Sequence, residues 1–364
     1  MENLREIIAE WLRGPELPEM SLREQPNLEE TNGLRRILAV VGPRRAGKTY
    51  FLYQLISEAI HSGKTRRDEV LFVDFEDYRL RDFSADDIQN LLAAFYQETG
   101  KPPRYLFFDE IQRMPYWSRV LRTLHNSRRY EIVVSGSNAS LLSSEIATEL
   151  RGRYEDRLIL PFSFREYLKY RGIGWDRPLL STPESGIIIK AFDEYLRYGG
   201  FPEQAGLPDT GSKRRLLQKY FDTIFYRDML DLYGVRARHL LDVLMRNMLE
   251  GYASLFSISA FEKQLKAHGQ AGSKRSIANY LQRMEEAFFI ITCEKFDYSP
   301  RKRMMNPVKV YLMDTGFSLL GGSVSSNLGR LLENVVALEF YRNRRNAFYH
   351  KDVNECDFIL TDGM

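Results

Sequence analysis

The sequence predicts an α/β fold built on a parallel sheet, and three observations carry that expectation. From residue 34 to about 165, short apolar runs alternate with helical patterns, the mark of repeated βαβ units. The first run, Ile37–Val41, stops at a glycine-rich turn that opens into an amphipathic segment (Phe51, Leu52, Leu55, Ile56, Ile60). The third run ends on two adjacent carboxylates, Asp109 and Glu110.

Taken in order, residues 1–33 read as one short helix (Leu4, Ile7, Ile8, Trp11, Leu12) and a Pro-interrupted loop to Asn32-Gly33, a flap packed on the α/β domain. In the 34–165 domain the strands are Ile37–Val41, Val70–Phe75, Tyr105–Phe108, Ile132–Ser135 and Leu158–Leu160. Helices fall near 50–62, 85–98, 117–126 and 139–149. Residues 166–235 form a helical lid, broken at Gly199-Gly200-Phe201-Pro202 and continued by the long pattern Arg214–Tyr233. Residues 236–322 give helices at 239–251, 258–267 and 274–287, then strands Phe288–Phe296 and Lys309–Met313 around a basic hairpin, Ser299–Arg303. Three helices closed by such a hairpin predict a winged helix. Residues 323–364 give a helix, Leu328–Arg342, and a last strand, Glu355–Leu360.

Composition narrows the class. A chain of 364 residues suggests roughly two to four domains. Its 44% hydrophobic and 28% charged residues are those of a soluble globular protein. A net charge of +3 confines any nucleic-acid surface to a local patch. Cys293 and Cys356, far apart, imply no disulfide framework and fit a reducing cytoplasm, and the five histidines make no metal spacing. No apolar run is long enough for a bilayer, and the acidic, amphipathic start is no signal peptide.

The chemistry concentrates at the strand ends. Gly42-Pro43-Arg44-Arg45-Ala46-Gly47-Lys48-Thr49 satisfies G-x-x-x-x-G-K-[ST], and the stretch through Tyr50 is the candidate nucleotide-binding segment. In that pattern backbone N–H groups wrap phosphates at the positive end of a helix. Lys48 reaches the β- and γ-phosphates, and the Thr49 hydroxyl ligates Mg²⁺. Arg44 and Arg45 either aid phosphate or subunit contacts or form a solvated pair. Asp109 would hold Mg²⁺ through water, and Glu110 would polarise the attacking water. A glutamate directly after the aspartate separates a hydrolase of the RecA/AAA+ type from a kinase or a GTPase switch. At the tip of the next strand Ser137 is the chosen γ-phosphate sensor, with Ser135 and Asn138 as rivals and a helix N-cap as the other reading of Asn138.

Leu150-Arg151-Gly152-Arg153-Tyr154-Glu155-Asp156-Arg157 resembles the arginine-finger segment of AAA+ ATPases. By that resemblance Arg153 is the leading finger and Arg157 the second, supplied to a neighbour's site. A surface salt-bridge role is the alternative. More narrowly, the chain resembles prokaryotic, largely archaeal AAA-family ATPases that carry a C-terminal domain of unknown function. The matching residues are the phosphate loop, Leu160–Leu168, Tyr198–Glu203, Tyr226-Arg227-Asp228, Tyr311–Gly316 and Gly329–Asn334. The resemblance implies a P-loop NTPase fold of the AAA+ type, with ATP and Mg²⁺ as cofactors. It also implies a homo-oligomer, a hexameric ring among the forms open to it. In that family the C-terminal region looks like a restriction-endonuclease fold. Here the chain stops at Met364 before the strand that would carry the lysine. No nuclease activity is therefore expected, and Glu333 and Asp357 are expected to serve packing or solubility.

On the winged module, Lys274, Arg275 and Arg283 fall on the third helix, on or near one face, and Arg301, Lys302 and Arg303 on the wing. Cations on both elements suit a duplex backbone, although winged helices also brace protein assemblies. The sequence thus supports two functions: ATP turnover coupled to DNA binding or movement, or a nucleotide-switched protein scaffold.

Overall fold

Five strands with parallel neighbours throughout make the sheet that the alternating pattern predicts. In chain order these are β1 (Ile37–Val41), β2 (Val70–Asp74), β3 (Tyr105–Asp109), β4 (Glu131–Gly136) and β5 (Tyr154–Leu158), arranged β2-β3-β4-β1-β5. The computed structural model describes residues 2–24, 36–137, 152–175, 185–232, 237–322 and 327–361. They divide into two compact units, Met1–Ile159 and Leu160–Met364. Asn138, the helix expected at 139–149 and the loop leading to Gly33 lie outside the described residues.

In the first unit, β1 and β3 are buried along their whole length, which is why they read as unbroken apolar runs. The register pairs Val41 with Gly136 and Asp74 with Asp109. The carboxyl ends of β1 to β4 therefore reach one edge of the sheet, where ligands of open parallel sheets bind. The crossover helices are α2 (Lys48–His61), α3 (Ile88–Thr99) and α4 (Trp117–Asn126). Ahead of them, α1 (Glu2–Arg13) buries Leu4, Ile7, Ile8 and Trp11. The Trp11 indole N–H donates to Val70 O at 2.6 Å and its ring lies 5.3 Å from Phe72. The expected flap thus docks its helix on β2.

The fifth strand corrects the expected boundary. Pairing runs from Ile37–Tyr154 to Val41–Leu158, so the strand is the charged stretch and not Leu158–Leu160. β5 is the sheet's edge, where only half the positions need be apolar and charges blunt the open backbone. Arg157 consequently lies inside the strand, its side chain mostly covered and 3.4 Å from Glu155.

The second unit begins with α5 (Phe164–Tyr170), capped by Ser163 and Glu166 in a capping box, followed by α6 (Ser185–Tyr198) and α7 (Thr210–Thr223). The chain continues from α7 in a π-helical segment, Ile224–Leu232. Then come α8 (Arg238–Glu250), β6 (Ser254–Phe256), α9 (Ile258–Ala267), α10 (Lys274–Glu286) and β7 (Ile290–Cys293). They are followed by α11 (Pro300–Met305) and β8 (Val308–Leu312). β6, β8 and β7 form an antiparallel sheet in that spatial order. The expected basic hairpin is a second correction. Residues 300–305 form a short helix with Pro300 in its first turn. Ser-Pro reads as a turn, yet the fixed φ of proline also suits the first helical position. The unit ends with α12 (Leu328–Arg342), β9 (Ala347–Lys351) and β10 (Glu355–Leu360), the last two an antiparallel pair.

Two motifs 114 residues apart interlock here. Asp314, buried just after β8, accepts the Gly200 N–H at 2.7 Å and the Gly316 N–H at 2.9 Å. A Cβ on Gly199, whose φ is +82°, would lie 1.7 Å from the Asp314 carboxylate. Among the described residues no helix is long and apolar enough to cross a membrane.

Candidate functional site

The turn after β1 has backbone geometry that few residues adopt. Gly42 has φ +153° and leaves no room for a side chain, since a Cβ there would meet Ile159 O at 1.9 Å. Arg45 and Gly47 both take positive φ, 62° and 93°. Such alternation turns successive N–H groups toward one concavity at the N-terminus of α2, a cradle for phosphate oxygens. The four-residue separation of its glycines, legible in the sequence, reflects these two tight points.

Lys48 is buried beside this cradle and its ammonium is fully engaged. It donates to Gly42 O at 3.2 Å, Pro43 O at 3.0 Å and Ser137 Oγ at 2.7 Å, and lies 3.8 Å from Glu110 Oε1. The Thr49 hydroxyl donates to Asp109 Oδ2 at 2.6 Å. Ser135 donates to Asp109 Oδ1 and accepts the Glu110 N–H at 3.1 Å. Ser137 and Gln112 donate to the two carboxylate oxygens of Glu110. Lys48, Thr49, Asp109, Glu110, Ser135 and Ser137 thus belong to one hydrogen-bonded network spanning the ends of β1, β3 and β4.

The two carboxylates are tuned apart. Burial raises the pKa of Asp109 against the hydroxyls of Ser135 and Thr49 that stabilise its charge. Burial also pushes Glu110 upward. The Lys48 charge and the Ser137 hydrogen bond overcome it and hold Glu110 below the ordinary glutamate value. Glu110 adopts φ +49°, a left-handed conformation uncommon outside glycine and asparagine. Its side chain is thereby turned from the strand direction into the network.

Asp74, at the tip of β2 in register with Asp109, escapes a reading of the sequence because it looks like the end of an apolar run. Burial lifts its pKa to about 6. An acid whose folded pKa is raised opposes folding once ionised. Its cost is absent well below pH 3.8, grows as pH rises, and is complete above about 6. Asp74→Asn keeps an acceptor for the Glu76 N–H, so it should raise the melting temperature by about 2 °C or more at pH 8 and by less at pH 5. Equal shifts at both pH values would contradict this account.

Other candidates disperse. Arg44 leans out to Glu76 at 3.2 Å. Tyr50 is exposed on α2. Arg153 precedes β5 at the opposite end of the strand from the cradle, and its carbonyl accepts the Ile37 N–H at 2.8 Å. Five residue steps below the level of Leu158, its backbone stands about 16 Å from its own phosphate loop. In the second unit, Lys274 and Arg275 are exposed at the start of α10. Arg283 is half-covered in its last turn and lies nine positions from Lys274, which puts the two about half a turn out of phase. Lys274 and Arg283 therefore face apart, which corrects the expected shared face for that pair, whereas Arg275, eight positions from Arg283, lies about 80° from it. Arg301 and Lys302 are exposed on α11, whereas Arg303 lies over the Phe348 ring at 5.3 Å. Glu333 and Asp357 hold the buried Lys309, at 3.0 and 2.6 Å, with Glu355 at 3.3 Å. Burial works against the lysine's charge, and these carboxylates more than offset it, raising its pKa. No local pattern marks this cluster, because Lys309 sits within an otherwise apolar strand.

Residues 34–168 match the AAA domain family, and residues 189–321 match a domain of unknown function (DUF8612). The chain is 36% identical over 332 residues to the uncharacterized protein MJ1544 of Methanocaldococcus jannaschii, spanning 89% of this chain and 72% of that protein. It is 29% identical over 326 residues to an uncharacterized protein of Haemophilus influenzae, spanning 89% and 79% respectively. Among solved structures, the Walker-type ATPase PABY2304 of Pyrococcus abyssi covers 78% of this chain and 90% of its own at 15% identity, with a TM-score of 0.48. With its phosphate loop, acidic pair and parallel sheet inside the matched region, the chain carries an AAA-type ATPase domain and belongs to the protein family of MJ1544.

Proposed function

We propose that the chain binds ATP with Mg²⁺ at Gly42–Thr49 and hydrolyses it as an oligomer, coupling turnover to DNA. The observation that carries the hydrolase reading is the single network joining Lys48, Thr49, Asp109, Glu110 and Ser137. The residues fit the cofactors: the cradle offers N–H donors and a buried ammonium for phosphates, and Thr49 with Asp109 offers the hard oxygens that Mg²⁺ prefers. When bound, Mg²⁺–ATP supplies the transferable phosphoryl group. Lys48 gives up its two loop carbonyls to face phosphate oxygens. Ser137, now between Lys48 and Glu110, is placed to sense the γ-position. Glu110, kept ionised, accepts a proton from water.

Arg153 is too far from its own loop to act there, which supports its use in trans. Arg153→Ala should lower ATP turnover at least tenfold while leaving nucleotide affinity within about twofold, a pattern expected of a transition-state contact. Mixing it with the Lys48→Ala chain should restore turnover above that of either alone. If mixing restores nothing, the trans assignment fails.

For DNA, the support is the exposed cations Lys274, Arg275, Arg301 and Lys302, with the order helix, strand, helix, helix, strand, helix, strand from α8 to β8 read as a winged helix. Duplex or branched DNA should stimulate ATP turnover and bind with strong salt dependence. A turnover rate indifferent to DNA, with no salt-dependent binding, removes this part and spares the ATPase. The second reading, a nucleotide-switched protein scaffold, is favoured by Tyr298, Met304 and Met305, which lie 91, 82 and 79% exposed among those cations. A dimer that forms with a non-hydrolysable ATP analogue but not with ADP, and ignores DNA, would select it. Lys309 between Glu333 and Asp357 supports an ion-pair role for those carboxylates in place of metal binding. No metal-dependent cleavage of plasmid DNA is accordingly expected.

A further inference from the structure

The N-terminal strap, residues 14–24, does more than cover the sheet. It leaves α1 at Gly14, is tied by Arg67 to Pro15 O at 3.0 Å, and packs Leu17 against the apolar cluster beneath α2. Near its described end stands Arg23, which is only 7% exposed. The Arg23 N–H donates to Gln54 Oε1 on α2 at 2.8 Å, and the Arg23 guanidinium donates to Ala46 O at 2.8 Å. Ala46 is itself fully buried within the phosphate loop. A buried cation therefore reaches the loop from outside the cradle and grips one of its carbonyls.

The geometry of a peptide unit gives this contact a consequence. In a planar trans peptide the C=O of one residue and the N–H of the next point in opposite directions. Holding Ala46 O toward Arg23 turns the Gly47 N–H the other way. Gly47, at φ +93°, is the residue whose freedom lets that peptide rotate. Without a partner on Ala46 O, a glycine-flanked peptide flips easily, and each flip removes a donor from the cradle. A guanidinium bond to a carbonyl is charge-assisted and stronger than a neutral one.

We infer that Arg23 is a positioning residue for phosphate recognition, fixing the Gly47 N–H in the cradle by clamping Ala46 O from the far side. This rests on reading Gly42–Thr49 as the nucleotide site. Because the donor is common to any phosphate at that position, the clamp acts on ground-state binding of ADP and ATP alike and leaves the hydrolytic groups Glu110 and Ser137 untouched.

The test is a split between affinity and turnover, using the full chain, Mg²⁺–ADP and Mg²⁺–ATP. Arg23→Met keeps the length of the side chain without its charge or donors. Calorimetric titration should show Mg²⁺–ADP affinity about tenfold weaker, the size of one hydrogen bond from a charged group. The KM for ATP should rise by a like factor with kcat within about twofold. Arg23→Lys, which retains a cation, should recover most of the affinity. If Arg23→Met does not fold, Arg23→Gln carries the same comparison. An affinity within twofold of the parent overturns the inference, as does a fall of kcat at unchanged KM. A Lys variant no better than Met also overturns it. A parental chain that binds neither nucleotide instead overturns the assignment of the loop, and the inference with it.

Discussion

Glu110→Gln is expected to lower ATP turnover by about 100-fold or more while nucleotide stays bound, the scale of losing a general base. The substitution keeps size and shape, and Gln can still accept from Ser137 through its carbonyl oxygen. What it loses is the carboxylate that Lys48 and Ser137 hold in its ionised form. Affinity should be preserved, because on the proposed reading the cradle, Lys48 and Thr49 hold the phosphates. Phosphate release under single-turnover conditions, together with nucleotide retained on a desalting column, measures both halves. Turnover at the parental rate would mean that another group activates the water, and Asp109 or Asp74 would then be the next candidates by position.

The second large effect falls far along the sequence, at Gly199→Ala. Two penalties combine there. A non-glycine residue at φ +82° costs roughly 1–2 kcal/mol. The added methyl must also displace the Asp314 carboxylate, which sits 1.7 Å from the Cβ position, and with it the bonds to Gly200 and Gly316. Disturbing a buried, hydrogen-bonded carboxylate adds on the order of 3 kcal/mol or more. Gly172→Ala is the internal comparison, since Gly172 has φ +65° but nothing within 4 Å of its Cβ position. It should incur only the backbone penalty. Urea unfolding of both variants should separate them by at least about 2 kcal/mol, in proportion to the steric term. Indistinguishable midpoints would show that the junction yields without cost.

Much of this is legible in the sequence because the relevant signals are local. The phosphate loop carries its own backbone requirements in its glycines, and a buried strand leading into Asp109-Glu110 announces its class. Ser137 and its rival Ser135 are both legible as site candidates, since the tip of the strand next to β3 faces the same network, and the structure brings both into it. Asn138 lies outside the described residues. The failures share a different cause. Apolar patterning misplaces β5 because an edge strand does not need an apolar run. The helix at 300–305 reads as a hairpin because Ser-Pro serves turns and helix starts alike. Arg23, Asp74 and Lys309 escape notice because each depends on a partner 23 to 48 residues away, among them Ala46, Asp109 and Asp357. No local pattern encodes such a distance.

The Asp314 junction also bears on how the second unit comes to fold. Joining Gly200 to Asp314 closes a loop of 114 residues, which costs on the order of 4 kcal/mol of chain entropy before any contact offsets it. Contacts of such long sequence separation form late and slow the search. The turn at Gly199-Gly200 is therefore expected to complete its packing only once β8 is in place. A cut near residue 235, the domain boundary that the sequence pattern suggests, would part Gly200 from Asp314. Helices α5 to α7 and the β6–β8 sheet should therefore appear in hydrogen exchange as a single protected body, opening together.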